Sequence, residues 1–82
     1  MSIEAIRAGV AQIRDQLVAA YQDVGVARER LAEARATLTA LSRNHSASLL
    51  PREHPKADEQ LAGCLTQLAA CIDCLDSYVA GL

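Results

Sequence analysis

An all-α fold is predicted: an antiparallel helical hairpin with one long and one shorter helix, associating into a coiled-coil or four-helix-bundle homo-oligomer. Three observations carry this expectation. Apolar residues recur at alternating spacings of three and four over 2–43, with no proline in that stretch. A shorter run with the same period follows a polar break. The composition is 51% hydrophobic but only 2% aromatic, with neither Trp nor Phe. Any core is therefore built from Leu, Ile, Val and Ala, which suits helices in close contact.

The first helix is assigned to about 2–43. With Ile3 as heptad position a, the a row is Ile3, Val10, Leu17, Val24, Leu31 and Leu38, and the d row is Ile6, Ile13, Ala20, Ala27, Ala34 and Leu41. Every one of these positions is apolar, which is the seam of a coiled coil or bundle. Ser2 is a good N-cap, and Glu4 complements the positive end of the helix dipole. Gly9 and Gly25 fall at g and b, outside the seam. The heptad phase runs through Gly25 without a stutter, so one continuous helix is expected there.

The pattern stops over about 44–54, where Asn44, Ser46, Ser48 and Pro51 mark the connecting segment. Leu49 and Leu50 interrupt its polarity and are expected to tuck back over the end of the bundle. His45 and His54 are read as solvated loop residues.

The second helix is assigned to about 55–80. Pro55 suits a first helical position, and Asp58 and Glu59 place negative charge in the first turn. Leu61, Leu65, Leu68, Ile72, Leu75, Val79 and Leu82 repeat at alternating spacings of four and three, and Gly81 is positioned to cap the end. Together 1–82 form a single helical-hairpin domain.

At about 1.5 Å per residue the first helix is about 60 Å long and the second about 40 Å. The N-terminal part of the first helix is therefore expected to lack a partner within the chain. Each bulky residue left in water there would forgo roughly 1.5 to 3 kcal/mol. A short chain also buries a small fraction of its surface unless it associates. Ile3, Ile6, Val10, Ile13 and Leu17 are accordingly the expected oligomer interface, with a dimer the first choice. Val24, Leu31, Leu38 and Leu41 are expected to meet Leu61, Leu65, Leu68, Ile72, Leu75 and Val79 in the intrachain seam.

Position e of the first helix carries Arg7, Arg14, Arg28 and Arg35, whereas the second helix is acidic through Asp58, Glu59, Asp73 and Asp76. Ion pairs between these rows, within the chain or between subunits, are expected to set the orientation of the helices. Tyr21 and Tyr78 are expected at the edge of the interface, with their hydroxyls toward water. A formal net charge of -2 gives no general attraction to nucleic acid or an anionic membrane, so neither is expected as a partner. No apolar run approaches the ~20 residues of a membrane span, and no signal peptide is recognised. A cytoplasmic location is expected, with secretion without a cleaved signal peptide as the alternative.

Cys71 and Cys74 form a Cys-Ile-Asp-Cys run, and Cys64 lies one heptad before Cys71. An odd number of cysteines fits a reducing compartment rather than a full disulfide framework. A redox motif would ordinarily lie at a helix N-terminus after a strand, and here the run is near a helix C-terminus. A zinc site would need a fourth ligand, from His45 or His54. The simplest reading makes the three thiols small hydrophobes flanking a helix interface; a thiol or metal-binding module stays open beside it. No Gly-rich phosphate loop and no positioned set of Ser, His and Asp is found. No catalytic residue, metal or cofactor is assigned, and the chain is read as a non-enzyme.

The opening Met-Ser-Ile-Glu-Ala-Ile-Arg-Ala-Gly, the Ala-rich first helix, the Ser-Leu-Leu-Pro of the loop and the short second helix resemble small uncharacterised actinomycete helical proteins. The architecture is also similar to the Trp-Xaa-Gly helical hairpins exported by type VII secretion. The chain departs from those in having no Trp, and neither Tyr21 nor Tyr78 is followed four residues later by an acidic residue. The expected function is a non-enzymatic interaction or scaffolding module that self-associates through its heptad seams. A heterologous helical protein is the second candidate partner, and an exported type VII-like factor or its partner is the alternative function.

Overall fold

Ser2 starts the chain's first helix in the expected way. Its Oγ accepts the Ala5 N–H at 3.0 Å and its carbonyl accepts the Ile6 N–H at 3.1 Å, satisfying two of the donors a helix start leaves free. From there α1 (Ile3–Ser42) runs for 40 residues without a break, straight through Gly25. The computed structural model describes residues 2–43 and 49–82, and these form two helices and no strand.

The second helix, α2 (Glu53–Ala80), begins earlier than the sequence suggests. Pro55 stands at its third position rather than its first. That is tolerated because the leading residues of a helix have no intrahelical carbonyl for their N–H groups, so the N–H that proline lacks is not missed. The His54 N–H is taken up by the Pro51 carbonyl at 3.2 Å. Gly81 caps the far end in a right-handed conformation (φ -80°) and donates to the Ser77 and Tyr78 carbonyls, so its glycine freedom is not used.

Between the helices, the Ser42 hydroxyl donates to the Leu38 carbonyl at 2.7 Å and accepts the Leu49 N–H at 2.7 Å. The returning chain is thereby tied to the last turn of α1. Of the two leucines expected to tuck back, Leu50 is half-buried and Leu49 is 42% exposed. His45 and most of the polar loop lie outside the described residues.

Arg14 pairs with Asp76 and Arg28 with Asp58, so early residues of α1 meet late residues of α2 and the hairpin is antiparallel. The molecule is a rod of 66 × 14 × 14 Å with a radius of gyration of 19.1 Å, against about 12 Å for a compact domain of this length.

The register differs from the expectation that the whole N-terminal part of α1 lies beyond α2. Asp76 is already level with Arg14, and Leu82 lies about 9 Å further on. Val10, Ile13 and Leu17 therefore lie alongside α2, and only the first two turns of α1 project past it. The length difference is shared between both ends because the connection folds back over the last turn of α1.

Candidate functional site

Row a carries the contact with α2 and both flanks share it. Val10, Leu17, Val24, Leu31 and Leu38 of row a are half-buried, with Arg14, Arg28 and Ser42 of row e and Ile6 and Ala20 of row d, whereas Ile13, Ala27, Ala34 and Leu41 of row d and Arg7, Tyr21 and Arg35 of row e are exposed. The reason lies in what each row can cover. In its middle, row d offers single methyl groups. Row e offers the long stems of Arg14 and Arg28, which lie along apolar surface while their heads reach a charge. Turning the middle of α1 toward e brings both guanidiniums to carboxylates. Leu41 is consequently 51% exposed and Ile13 47% exposed, despite their places in the heptad seam.

One edge of the hairpin is charged. Arg14 donates from Nε and Nη2 to the two carboxylate oxygens of Asp76 at 2.7 and 3.3 Å, and Arg28 does the same to Asp58 at 2.8 and 3.2 Å. Both are fork-shaped pairs of the kind a guanidinium makes well. The hydrogen bonds from Arg28 hold the Asp58 carboxyl below the usual carboxylate range, against an opposing push from desolvation; the charges of Arg28, Arg35 and His54 act in the same sense as the hydrogen bonds. Asp76 raises the Arg14 guanidinium, and Asp58 raises that of Arg28, in each case first through the hydrogen bond.

His54 stands at the head of this edge, inside the first turn of α2 rather than in a solvated loop, and it is the one described residue that is buried. It lines an open groove of about 510 Å³ together with Arg28, Arg35, Asp58, Glu29 and Leu65. Because both Asp58 oxygens are held by Arg28, that carboxylate is a structural partner and a poor base. Burial of His54 follows from the earlier start of α2. His54 stands one heptad before Leu61, in line with Leu68, Leu75 and Leu82, and that spacing is the sequence signal for its burial.

The opposite edge is apolar and holds small side chains. Ala27, Arg30, Leu31 and Ala34 of α1 line an open groove of about 520 Å³ with Ala57, Gln60 and Leu61 of α2. Cys64 and Cys71 follow Ala57 at heptad spacing on this side of α2, and Cys74 is turned further round the helix. Cys64, one heptad after Ala57, is half-buried, and Cys71 and Cys74 are exposed; all three are free thiols. His54 lies ten residues up the helix from Cys64, about 15 Å away along the axis. Among the described residues, no group of three or more His, Cys, Asp or Glu side chains is placed to hold a metal ion.

Of the residues expected at an oligomer interface, Ile6, Val10 and Leu17 are half-buried, while Ile3 (53%) and Ile13 are largely open. Val24, Leu31, Leu38, Leu61, Leu65, Leu68, Ile72, Leu75 and Val79 are all half-buried between the two helices. Tyr21 and Tyr78 are exposed, at 40% and 54%. No described helix is long and apolar enough to cross a membrane.

These features define a two-helix all-α hairpin with one charged and one apolar edge. No family model matches the chain, and no curated protein or solved structure matches it.

Proposed function

We propose that the chain is a non-enzymatic helical interaction module that associates with a second copy of itself, completing a core that one hairpin supplies only in part. The observation that carries this reading is that no described apolar side chain is fully buried. The chain exposes 6206 Å², about 1,500 Å² more than the ~4,700 Å² typical of a folded monomer of its mass. A standard interface takes about 800 Å² from each partner, so a dimer of that size covers about half of the excess. Burying it gains the hydrophobic contribution that the single hairpin forgoes.

The test is absolute mass by light scattering behind size exclusion, at two concentrations and with and without reductant. A mass of two chains that survives reductant is expected. A helical monomer at every concentration would overturn the proposal, and a dimer lost in reductant would assign the association to the cysteines instead.

A further inference from the structure

The apolar edge reads the same in both directions. From Ile13 to Leu41, row d of α1 runs Ile13, Ala20, Ala27, Ala34, Leu41, large at either end with single methyl groups between and Ala27 at the centre; the row's first member, Ile6, has its symmetric counterpart beyond the end of α1. On α2 the same edge carries Ala57, Cys64 and Cys71, with small residues on both sides of Cys64. The two centres are level with each other. Ala34 and Ala57 share the apolar groove, and one heptad back along α1 and one heptad forward along α2 lead to Ala27 and Cys64.

Resting on the self-association proposed above, we propose that the second copy lies antiparallel on this edge, α1 on α1 and α2 on α2, about a two-fold axis that passes Ala27 and Cys64. Such an axis places the same patch on both subunits, so the patch must complement its own reverse. A heterologous partner imposes no such pattern. In this arrangement Ile13 meets the partner's Leu41, Ala20 meets the partner's Ala34, and Ala27 meets its own copy. Alanine in the middle lets the two α1 backbones approach closely, while the exposed Ile13 and Leu41 are covered at the ends.

The charges agree. Asp23 and Arg30 stand in row g, just outside row d, at nearly equal distances on either side of Ala27. Both are exposed, and neither forms an ion pair with another described residue. The two-fold operation brings each Asp23 to the partner's Arg30, giving two equivalent pairs. The charged edge, with Arg14–Asp76 and Arg28–Asp58 already paired within the chain, is left facing water.

The experiment compares the dissociation constant of the full chain with those of Ala27→Glu, Ala32→Glu and Asp23→Arg by analytical ultracentrifugation, with circular dichroism as the check on folding. Ala27 and Ala32 are both exposed and glutamate is a good helix former, so each variant retains its helices. Ala27→Glu is expected to give a helical monomer, and Ala32→Glu, on the charged edge, to stay dimeric. Asp23→Arg is expected to weaken the dimer roughly tenfold by setting like charges together, and adding Arg30→Asp to restore it. In the Cys71→Ser/Cys74→Ser background, copper-phenanthroline oxidation is expected to link the two copies through Cys64.

A wild-type chain that is monomeric throughout removes self-association and this arrangement together. A wild-type dimer that Ala27→Glu leaves intact, or that fails to link through Cys64, overturns the two-fold arrangement while self-association stands. Failure of Arg30→Asp to rescue Asp23→Arg overturns it as well.

Discussion

Arg28 grips Asp58 with two hydrogen bonds, Nε at 2.8 Å and Nη2 at 3.2 Å, across 30 residues of sequence. Asp58 occupies the seam position one heptad before Leu65, where a leucine would fit any register equally well. A carboxylate there is matched only where a guanidinium stands opposite, so the pair selects one alignment of the helices. Arg28→Met and Asp58→Asn should each lower the melting temperature modestly, because both side chains are still partly in water. In a double-mutant cycle the second substitution should cost less than it does alone. Strict additivity of the two losses would show that the pair does not couple the helices.

Acid should weaken the hairpin through the same residue. Hydrogen bonding to Arg28 lowers the folded-state pKa of Asp58 below its unfolded value. Its contribution is therefore fully present above the ordinary aspartate pKa of about 3.9 and is lost as pH falls through the lower folded value. Melting temperature should drop across that acid interval, and Asp58→Asn should make the drop shallower. An unchanged profile in the variant would assign the acid loss to other carboxylates.

Gly25 offers the plainest route to a more stable chain. It lies within α1 at negative φ, and a Cβ added there would meet nothing within 4 Å. Gly25→Ala should therefore stabilise by about 0.5–1 kcal/mol by removing the entropic cost of glycine in a helix. For a domain of this size that corresponds to a rise of roughly 2–8 °C in melting temperature. Thermal denaturation at fixed protein concentration measures it, and a fall would mean that α1 depends on bending at this point.

The Ser42 hydroxyl holds the returning chain to α1 through Leu49. Ser42→Ala leaves the Leu49 N–H without that acceptor and should cost about 0.5–1.5 kcal/mol. Hydrogen exchange at the Leu49 amide should accelerate more than exchange in the middle of either helix, since the opening is local. Equal acceleration everywhere would make the effect global rather than a loosened turn.

Much of the fold is legible in the residues. Ser2 and Gly81 mark ends that the structure uses as caps, the apolar period specifies both helices, and unbroken phase at Gly25 corresponds to an unbroken helix. The opposed arginine and aspartate rows anticipate the two ion pairs. His54 is less legible because Pro55 is compatible with the first or the third helical position, and the choice decides whether the histidine lies in the loop or within the first turn of α2, where it is buried. Ser42 to Leu49 is a contact across a loop, and no periodic signal encodes it.

Local pattern by itself determined two amphipathic helices, their approximate ends and their antiparallel return, because hydrogen bonding within a helix and the spacing of apolar side chains act over a few residues. Only the tertiary structure decided which flank of α1 faces α2 and in what register. Rows d and e lie on either side of row a, and apolar pattern favours row d in the choice between them, though in its middle row d offers only the single methyl groups of Ala20, Ala27 and Ala34. The reach of Arg14 and Arg28 to two carboxylates far along the chain settles it, and that turns Ile13 and Leu41 outward while His54 is enclosed.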